Sequence, residues 1–215
     1  MLSGSVYAKY YPDNVDNIYV HRNTNEKIVA LTFDDGPHPY KTDKILDVLK
    51  KYGVKATFFV IGENVEQCPD ILKRISNEGH EIGNHTYDHK SIYKLQSDTL
   101  LDSVRKCEES IYRITGKKPI LFRPPEGYLN DAIALSMYHA GYDVILWRVD
   151  TYDWKGRSAT DIYKTVLNSA KCGDIILMHD YVSRSSHTAE ALDMIIPALI
   201  DKGYKFVTVS QLIEK

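Results

Sequence analysis

From Lys27 onward the chain alternates between short runs of β-branched and aromatic residues and longer segments whose apolar positions keep helical spacing. The short runs near Lys27–Thr32, Ala56–Ile61, His80–Asn84, Ile120–Phe122, Asp143–Trp147, Asp174–Met178 and Lys205–Val209 predict seven strands. Between the first two, Ile45, Leu46, Val48, Leu49 and Tyr52 fall on one helical face, and Gly53 stops the helix. Pro69 opens the next helix, which carries Ile71, Leu72 and Ile75 and closes at Gly79. A long helix from about Ser97 to Thr115 presents Leu100, Leu101, Val104, Cys107, Ile111 and Ile114 before Gly116. Further helices are predicted near Asp131–Ala140, Thr160–Ala170 and Thr188–Lys202, with a short last one near Gln211. Regular β-then-α alternation of this kind predicts an α/β fold, a distorted (β/α) barrel of about seven parallel strands, with an open doubly wound sheet as the alternative. Residues 1–26, polar and rich in Tyr, Asn and Asp, read as an irregular lead-in, and residues 27–215 as one domain.

Composition narrows the partners. The 27 basic and 29 acidic residues leave a net charge of -2, which points to neither a nucleic-acid backbone nor an anionic membrane. No apolar run approaches the roughly 18 residues of a membrane span. Cys68, Cys107 and Cys172 form no Cys-x-x-Cys pair, so they read as small core residues. Sixteen tyrosines against five phenylalanines suit stacking on sugar rings, and equally suit half-buried positions. Met1–Ser5 reads as an artificial start with no signal-peptide pattern after it, which is compatible with a signal or anchor cut away.

The polar residues that bear chemistry fall at the C-terminal ends of the predicted strands, where barrel enzymes assemble their sites. Asp34 and Asp35 follow the first strand and are stopped at once by Gly36-Pro37. Two adjacent carboxylates repel, and burying either calls for a cation. His85 and His89, four apart after the third strand, let two imidazoles meet one ion. With Asp35 they make a three-ligand set with positions left for water, as in a catalytic zinc site, although the same trio also describes a non-haem iron(II) oxygenase. Asp34 is then the free carboxylate, suited to a general base. Arg123, fixed by Pro124 and Pro125, is placed to pair with it and keep it ionised. Trp154 is a candidate pocket wall, and His179, after the apolar run Ile175–Met178, is a candidate proton donor.

Five ordered segments, Thr32-Phe33-Asp34-Asp35-Gly36-Pro37, His85-Thr86-Tyr87-Asp88-His89, Arg123-Pro124-Pro125, Asp150-Thr151-Tyr152-Asp153-Trp154 and Leu177-Met178-His179, resemble the polysaccharide deacetylases of carbohydrate esterase family four. The resemblance spans about Ile28 to Ile213 and implies that residues 27–215 are a deacetylase domain. It implies hydrolysis of N-acetyl groups on a polymer containing N-acetylglucosamine, peptidoglycan or chitin-like. Asp34 would be the base and His179 the acid, with Asp35, His85 and His89 holding one divalent metal, zinc before cobalt or nickel. Arg123 and Asp150 would orient and tune the base and acid, while Leu177 and Trp154 would line the slot for the acetyl methyl.

One position departs from the family pattern. The residue after Arg-Pro-Pro is usually Tyr, whose main-chain N–H helps to bind the oxyanion; here it is Glu126, followed by Gly127 and Tyr128. A main-chain donor survives the change, so the expected consequence falls on substrate choice, through Glu126 and Tyr128 at the groove. Two alternatives are an O-acetyl esterase acting on acetylated xylan and a non-catalytic glycan-binding relative. The second is disfavoured because Asp34 and His179 are both present. The polymer substrate predicts an extracellular or wall-associated monomer, with intracellular action on a small acetylated sugar as the alternative.

Overall fold

The computed structural model describes residues 17–94, 97–181 and 187–214. Residues 1–16 of the predicted lead-in therefore lie outside the described residues. In chain order the strands are β1 (Ile18–Tyr19), β2 (Ile28–Asp34), β3 (Thr57–Val60), β4 (Glu81–Asn84), β5 (Leu121–Phe122), β6 (Asp143–Ile145), β7 (Val149–Asp150), β8 (Asp174–His179) and β9 (Lys205–Phe206). The helices are α1 (Lys41–Tyr52), α2 (Gly62–Gln67), α3 (Pro69–Asn77), α4 (Ser97–Thr115), α5 (Asp131–His139), α6 (Ala159–Ser169), α7 (Thr188–Asp201) and α8 (Val209–Ile213).

The nine strands among the described residues belong to one sheet in the order β1-β6-β5-β4-β3-β2-β8-β7, with β9 also on β2. Every ladder between them is parallel. From β2 to β6 the spatial order follows the chain without the reversal that a doubly wound sheet requires, so the sheet is that of a distorted barrel. Its two ends are joined by the chain itself. The predicted strand Asp143–Trp147 breaks after Ile145, and residues 146–148 cross from β6 to β7. Along that crossing Leu146 N–H donates to Tyr19 O and Arg148 N–H to Ile175 O. The periodicity missed β7 for this reason: the apolar run is continuous, but its pairing partner changes halfway. It missed β1 as well, two residues within the lead-in that pair with Val144 and Ile145.

Alternation within β2 separates two cores. Val29, Leu31 and Phe33 point outward into a cluster with Ile45, Leu49, Ile195 and Leu199 of α1 and α7. Ile28 and Ala30 point inward and pack with Phe59, Leu121, Ile145 and Ile175, a dry floor closed by Val209 and Leu212 of α8. Above that floor the inward positions become Thr32 and Asp34, polar yet almost fully buried. A third cluster joins Leu100 and Val104 of α4 to Ile133 and Met137 of α5. The helices end as their sequences predict: Gly53 adopts φ 66° and closes α1 in the left-handed conformation, and Pro69 takes the first turn of α3. The short α2 had no periodic signal of its own. The three cysteines are free; Cys107 is buried as expected, whereas Cys68 and Cys172 are half-buried.

Candidate active site

The strand register brings the chemistry together. Asp34 on β2 pairs with His179 on β8, and Thr32 with Leu177, so these four share the inward face above the apolar floor. Phe33 and Met178, the residues between them, belong to the outer cluster.

At the end of β2 the chain turns through Asp35 at φ 77°, and at the end of β4 through Thr86 at φ 68° and His89 at φ 47°. A side chain rarely adopts this left-handed region without local support, and here the support is visible. Asn64 Nδ2 donates to Asp35 O at 2.7 Å. The buried Asn84 accepts the Thr86 N–H on its amide oxygen at 2.9 Å and donates from Nδ2 to Val104 O at 2.8 Å. Thr86 Oγ1 in turn accepts the His89 N–H at 3.1 Å. His85 Nδ1 lies 2.7 Å from Arg123 O; a carbonyl only accepts, so Nδ1 carries a proton and the ring turns Nε2 towards Asp35.

The result is a converging trio. Asp35 Oδ1 lies 3.5 Å from His85 Nε2 and 3.3 Å from His89 Nε2, and one ligand atom from each residue lies within 4.8 Å of the others. Asp35 Oδ1 is buried with no hydrogen-bond partner, an expensive arrangement for an anionic oxygen that a cation would satisfy. Burial pushes the Asp35 carboxyl up, but the neighbouring imidazoles outweigh it and hold it below the ordinary range. Burial, helped by His85, pulls the His89 imidazole down towards its neutral, ligating form. The donor set fits a divalent metal with coordination positions to spare.

Beside the trio, Asp34 Oδ1 accepts Arg123 Nη1 at 2.7 Å, with its other oxygen 3.8 Å from His85 Nε2. Arg123 is wholly buried, and its fork is consumed: Nε donates to Ile145 O, Nη1 also to Thr32 Oγ1 and Nη2 to Leu146 O. The guanidinium also lies 4.1 Å from the Phe59 ring centroid and 5.6 Å from that of Trp147. The end of β6 and the start of the crossing to β7 thus supply the two carbonyls that help to fix this cation.

His179 is held differently from the sequence expectation. Its Nδ1 lies 2.8 Å from Asp153 Oδ1, and its main-chain N–H donates to Asp153 Oδ2. Thr188 Oγ1 and the Trp154 N–H complete the shell of that fully buried carboxylate. Asp150 instead accepts the Tyr152 N–H at 2.8 Å and shapes its own loop, while burial raises its carboxyl. The orienting role expected of Asp150 passes to Asp153; the two acids are three residues apart, and the strand ends between them. Burial works against the His179 imidazolium, but the Asp153 carboxylate prevails and pushes it up to about 9.

Of the residues expected to meet substrate, Leu177 is buried two positions below His179, and Trp154 is half-buried with its ring 6.5 Å from that of Tyr152. Glu126 is exposed in the short 3-10 turn Pro125–Gly127, and Tyr128 meets Tyr93 edge to face. Thr32, Asn84, Asp153 and Thr188 are the supporting residues that the motifs did not single out for these tasks.

A parallel barrel that carries two histidines and a carboxylate at its C-terminal mouth, flanked by a carboxylate–guanidinium pair and a histidine–carboxylate pair, defines a metal-dependent hydrolase. Residues 21–145 match the family model for polysaccharide deacetylases, and the chain belongs to that family. It is 45% identical over 196 residues to a peptidoglycan-N-acetylglucosamine deacetylase of Bacillus cereus, covering 88% of this chain and 89% of the relative. It is 46% identical to the peptidoglycan-N-acetylmuramic acid deacetylase PdaC of Bacillus subtilis over 88% of this chain, but spans only 39% of that longer protein. Among solved structures, the Bc1960 peptidoglycan N-acetylglucosamine deacetylase in complex with a substituted N-oxidanyl-benzamide superposes with a TM-score of 0.88 at 42% identity, covering 91% of this chain and 92% of the other.

Proposed function

We propose that this chain is a zinc-dependent N-deacetylase of N-acetylglucosamine-containing glycan, acting on peptidoglycan outside the cell or within the wall as a monomer and releasing acetate. The observation that carries the reading is the placement of two paired groups, Asp34 held by Arg123 and His179 held by Asp153, around the trio Asp35, His85 and His89. A metal held by that trio supplies Lewis acidity at the acetamide carbonyl and makes an attacking water more acidic.

The residues of the chain divide the remaining work. Asp34 takes a proton from the water, and Arg123 keeps the carboxylate aimed for that step. The water oxygen bonds to the acetamide carbon and the C–N bond breaks. An amine is a poor leaving group as an anion, so its nitrogen needs a proton, and His179 gives it from the imidazolium that Asp153 maintains. The main-chain N–H of Glu126 supports the developing oxyanion, and Leu177 and Trp154 receive the acetyl methyl.

Acetate release from N-acetylglucosamine oligomers and from purified peptidoglycan tests the reading, using metal-free protein, protein reloaded with zinc or cobalt, and Asp34→Asn. Release that requires metal and is lost in Asp34→Asn is expected. Release only from acetylated xylan would replace the amide by the ester substrate, and binding of oligomers without release under any metal would make the chain a binding protein.

A further inference from the structure

We propose that Thr188 is a positioning residue for the proton donor: through the Asp153 carboxylate, its hydroxyl limits how tightly the His179 imidazolium holds its proton. This rests on the deacetylase reading above, and it gives a task to a residue outside the five motif segments. Asp153 opens a single 3-10 turn, Asp153–Lys155, between the left-handed residues Tyr152 at φ 54° and Gly156 at φ 75°. One end of the loop is pinned to β8, where Thr151 Oγ1 donates to Leu177 O at 2.9 Å. The other end is pinned by Arg157, whose Nη1 donates to Thr151 O and to Thr165 Oγ1 of α6.

Thr188 reaches the carboxylate from a different element. It is the first residue of α7, 35 positions further along the chain, and its Oγ1 donates to Asp153 Oδ2 at 2.7 Å. The helix is itself anchored away from the mouth, because Leu192, Ile195, Ile196 and Leu199 are buried in the outer cluster. The hydroxyl is therefore a fixed donor. Thr188 is 1% exposed and Asp153 wholly buried, so solvent does not replace the hydroxyl when a side chain of the same shape takes its place.

Oδ1 of Asp153 accepts from His179 Nδ1 and the Trp154 N–H, and Oδ2 from the His179 main-chain N–H and Thr188 Oγ1. Burial pushes this carboxyl up, while the His179 imidazolium and these hydrogen bonds, that of Thr188 included, hold it below the ordinary range. Without the hydroxyl the carboxylate is more basic and binds the imidazolium more firmly, so His179 yields its proton to the leaving nitrogen less readily. A hydroxyl that served packing alone predicts the reverse: a loosened carboxylate releases the ring, and the imidazolium becomes more acidic. Asp34 and Asp35 at the end of β2 and Asp150 at the end of β7 also act on the imidazole. Asp180 follows it in the chain, Lys155 lies in the turn, and His187 and Glu190 flank Thr188. All of these stay in place in a Thr188 variant, so the shift isolates the hydroxyl.

The test follows the His179 imidazole by NMR of histidine-labelled protein across pH in wild type, Thr188→Val and Thr188→Ser. Acetate release from N-acetylglucosamine oligomers is measured on the same preparations. Thr188→Val, which keeps the shape and removes the donor, is expected to raise the His179 pKa by about half a unit. It should also lower kcat by about three- to ten-fold with KM unchanged. Thr188→Ser, which keeps the hydroxyl, should bring both back towards wild type. Should Thr188→Val not fold, Thr188→Cys, close in size and a much weaker donor, takes its place. A His179 pKa that falls or stays where it is, or a serine variant that behaves like the valine one, overturns the role. If none of the proteins releases acetate the deacetylase reading falls instead, and the NMR shift still decides whether Thr188 governs the Asp153–His179 pair.

Discussion

The carboxylate of Asp153 grips His179 twice, with Oδ1 2.8 Å from the imidazole Nδ1 and Oδ2 2.8 Å from the main-chain nitrogen. This double hold fixes the ring and its charge together. A group whose folded pKa is raised from 6.5 to about 9 contributes stability that is fully present below about 6.5 and lost as pH rises through about 9.

The same shift sets the alkaline side of the activity profile. His179 must be protonated to serve as an acid, so the rate falls as pH rises through its pKa. Asp34 and Asp35 also raise that pKa, and a bound metal offsets their charge, which places the alkaline limb between 6.5 and about 9. In Asp153→Asn the strongest raising influence is gone. The limb should move down by about one to three units, with the plateau rate lower by about 10²-fold. A pH–rate profile of both proteins checks this, and an unmoved limb would assign the acid elsewhere.

Arg123 is a geometric clamp as well as a charge. Lysine keeps the charge but cannot reach Asp34, Thr32, Ile145 O and Leu146 O from one head group. Arg123→Lys should lower kcat by about 10-fold or more while KM changes little, because the base is misaimed and the sugar contacts remain. Arg123→Met, which leaves Asp34 buried without its partner, should also destabilise the fold by about 3–5 kcal/mol in denaturant titration.

Asn84 supports the metal trio without touching it. Removing its amide in Asn84→Ala frees the Thr86 N–H and Val104 O inside the protein and releases the left-handed turn that carries His89. Loss of such an outer support weakens metal binding by about 10- to 100-fold. Cobalt titration followed by the absorption spectrum is the measurement. Wild-type affinity in the variant would show that Thr86 and His89 hold the turn unaided.

How much of this was legible in the sequence depended on whether a feature is local. The strand-end positions of Asp34, Asp35, His85, His89, Arg123 and His179 follow from periodicity and spacing, because each needs only its own strand to be recognised. The seven expected strands are all present, shifted by a few residues at their ends. What stayed hidden is pairwise. Asp150 and Asp153 share one motif, and only the direction of the turn after β7 decides which of them faces His179. Similarly, β1 has two residues and no periodicity, and exists only because Val144 and Ile145 lie beside it. Asn84 reads as an ordinary strand-end residue until the turn it supports is seen.

Gly36 shows how tightly the loop below the trio is packed. A Cβ at this position would lie 2.0 Å from Asp180 Oδ2, which Thr42 Oγ1 also contacts at 2.7 Å. Asp180 is 1% exposed, and burial pushes its carboxyl up to about 7, so it has no room to retreat. Gly36→Ala should therefore displace either Asp180 or the neighbouring Asp35. The expected cost is about 1–3 kcal/mol in stability, accompanied by weaker metal binding. Shortening the obstacle should restore part of both: in Gly36→Ala/Asp180→Ala the loss should be smaller than the sum of the two single losses by about 1 kcal/mol. Thermal melts and cobalt titrations on the four proteins of this cycle measure the coupling. Strict additivity would mean that the loop relaxes away from Asp180, and that the position of Asp35 is set from the Asn64 side instead.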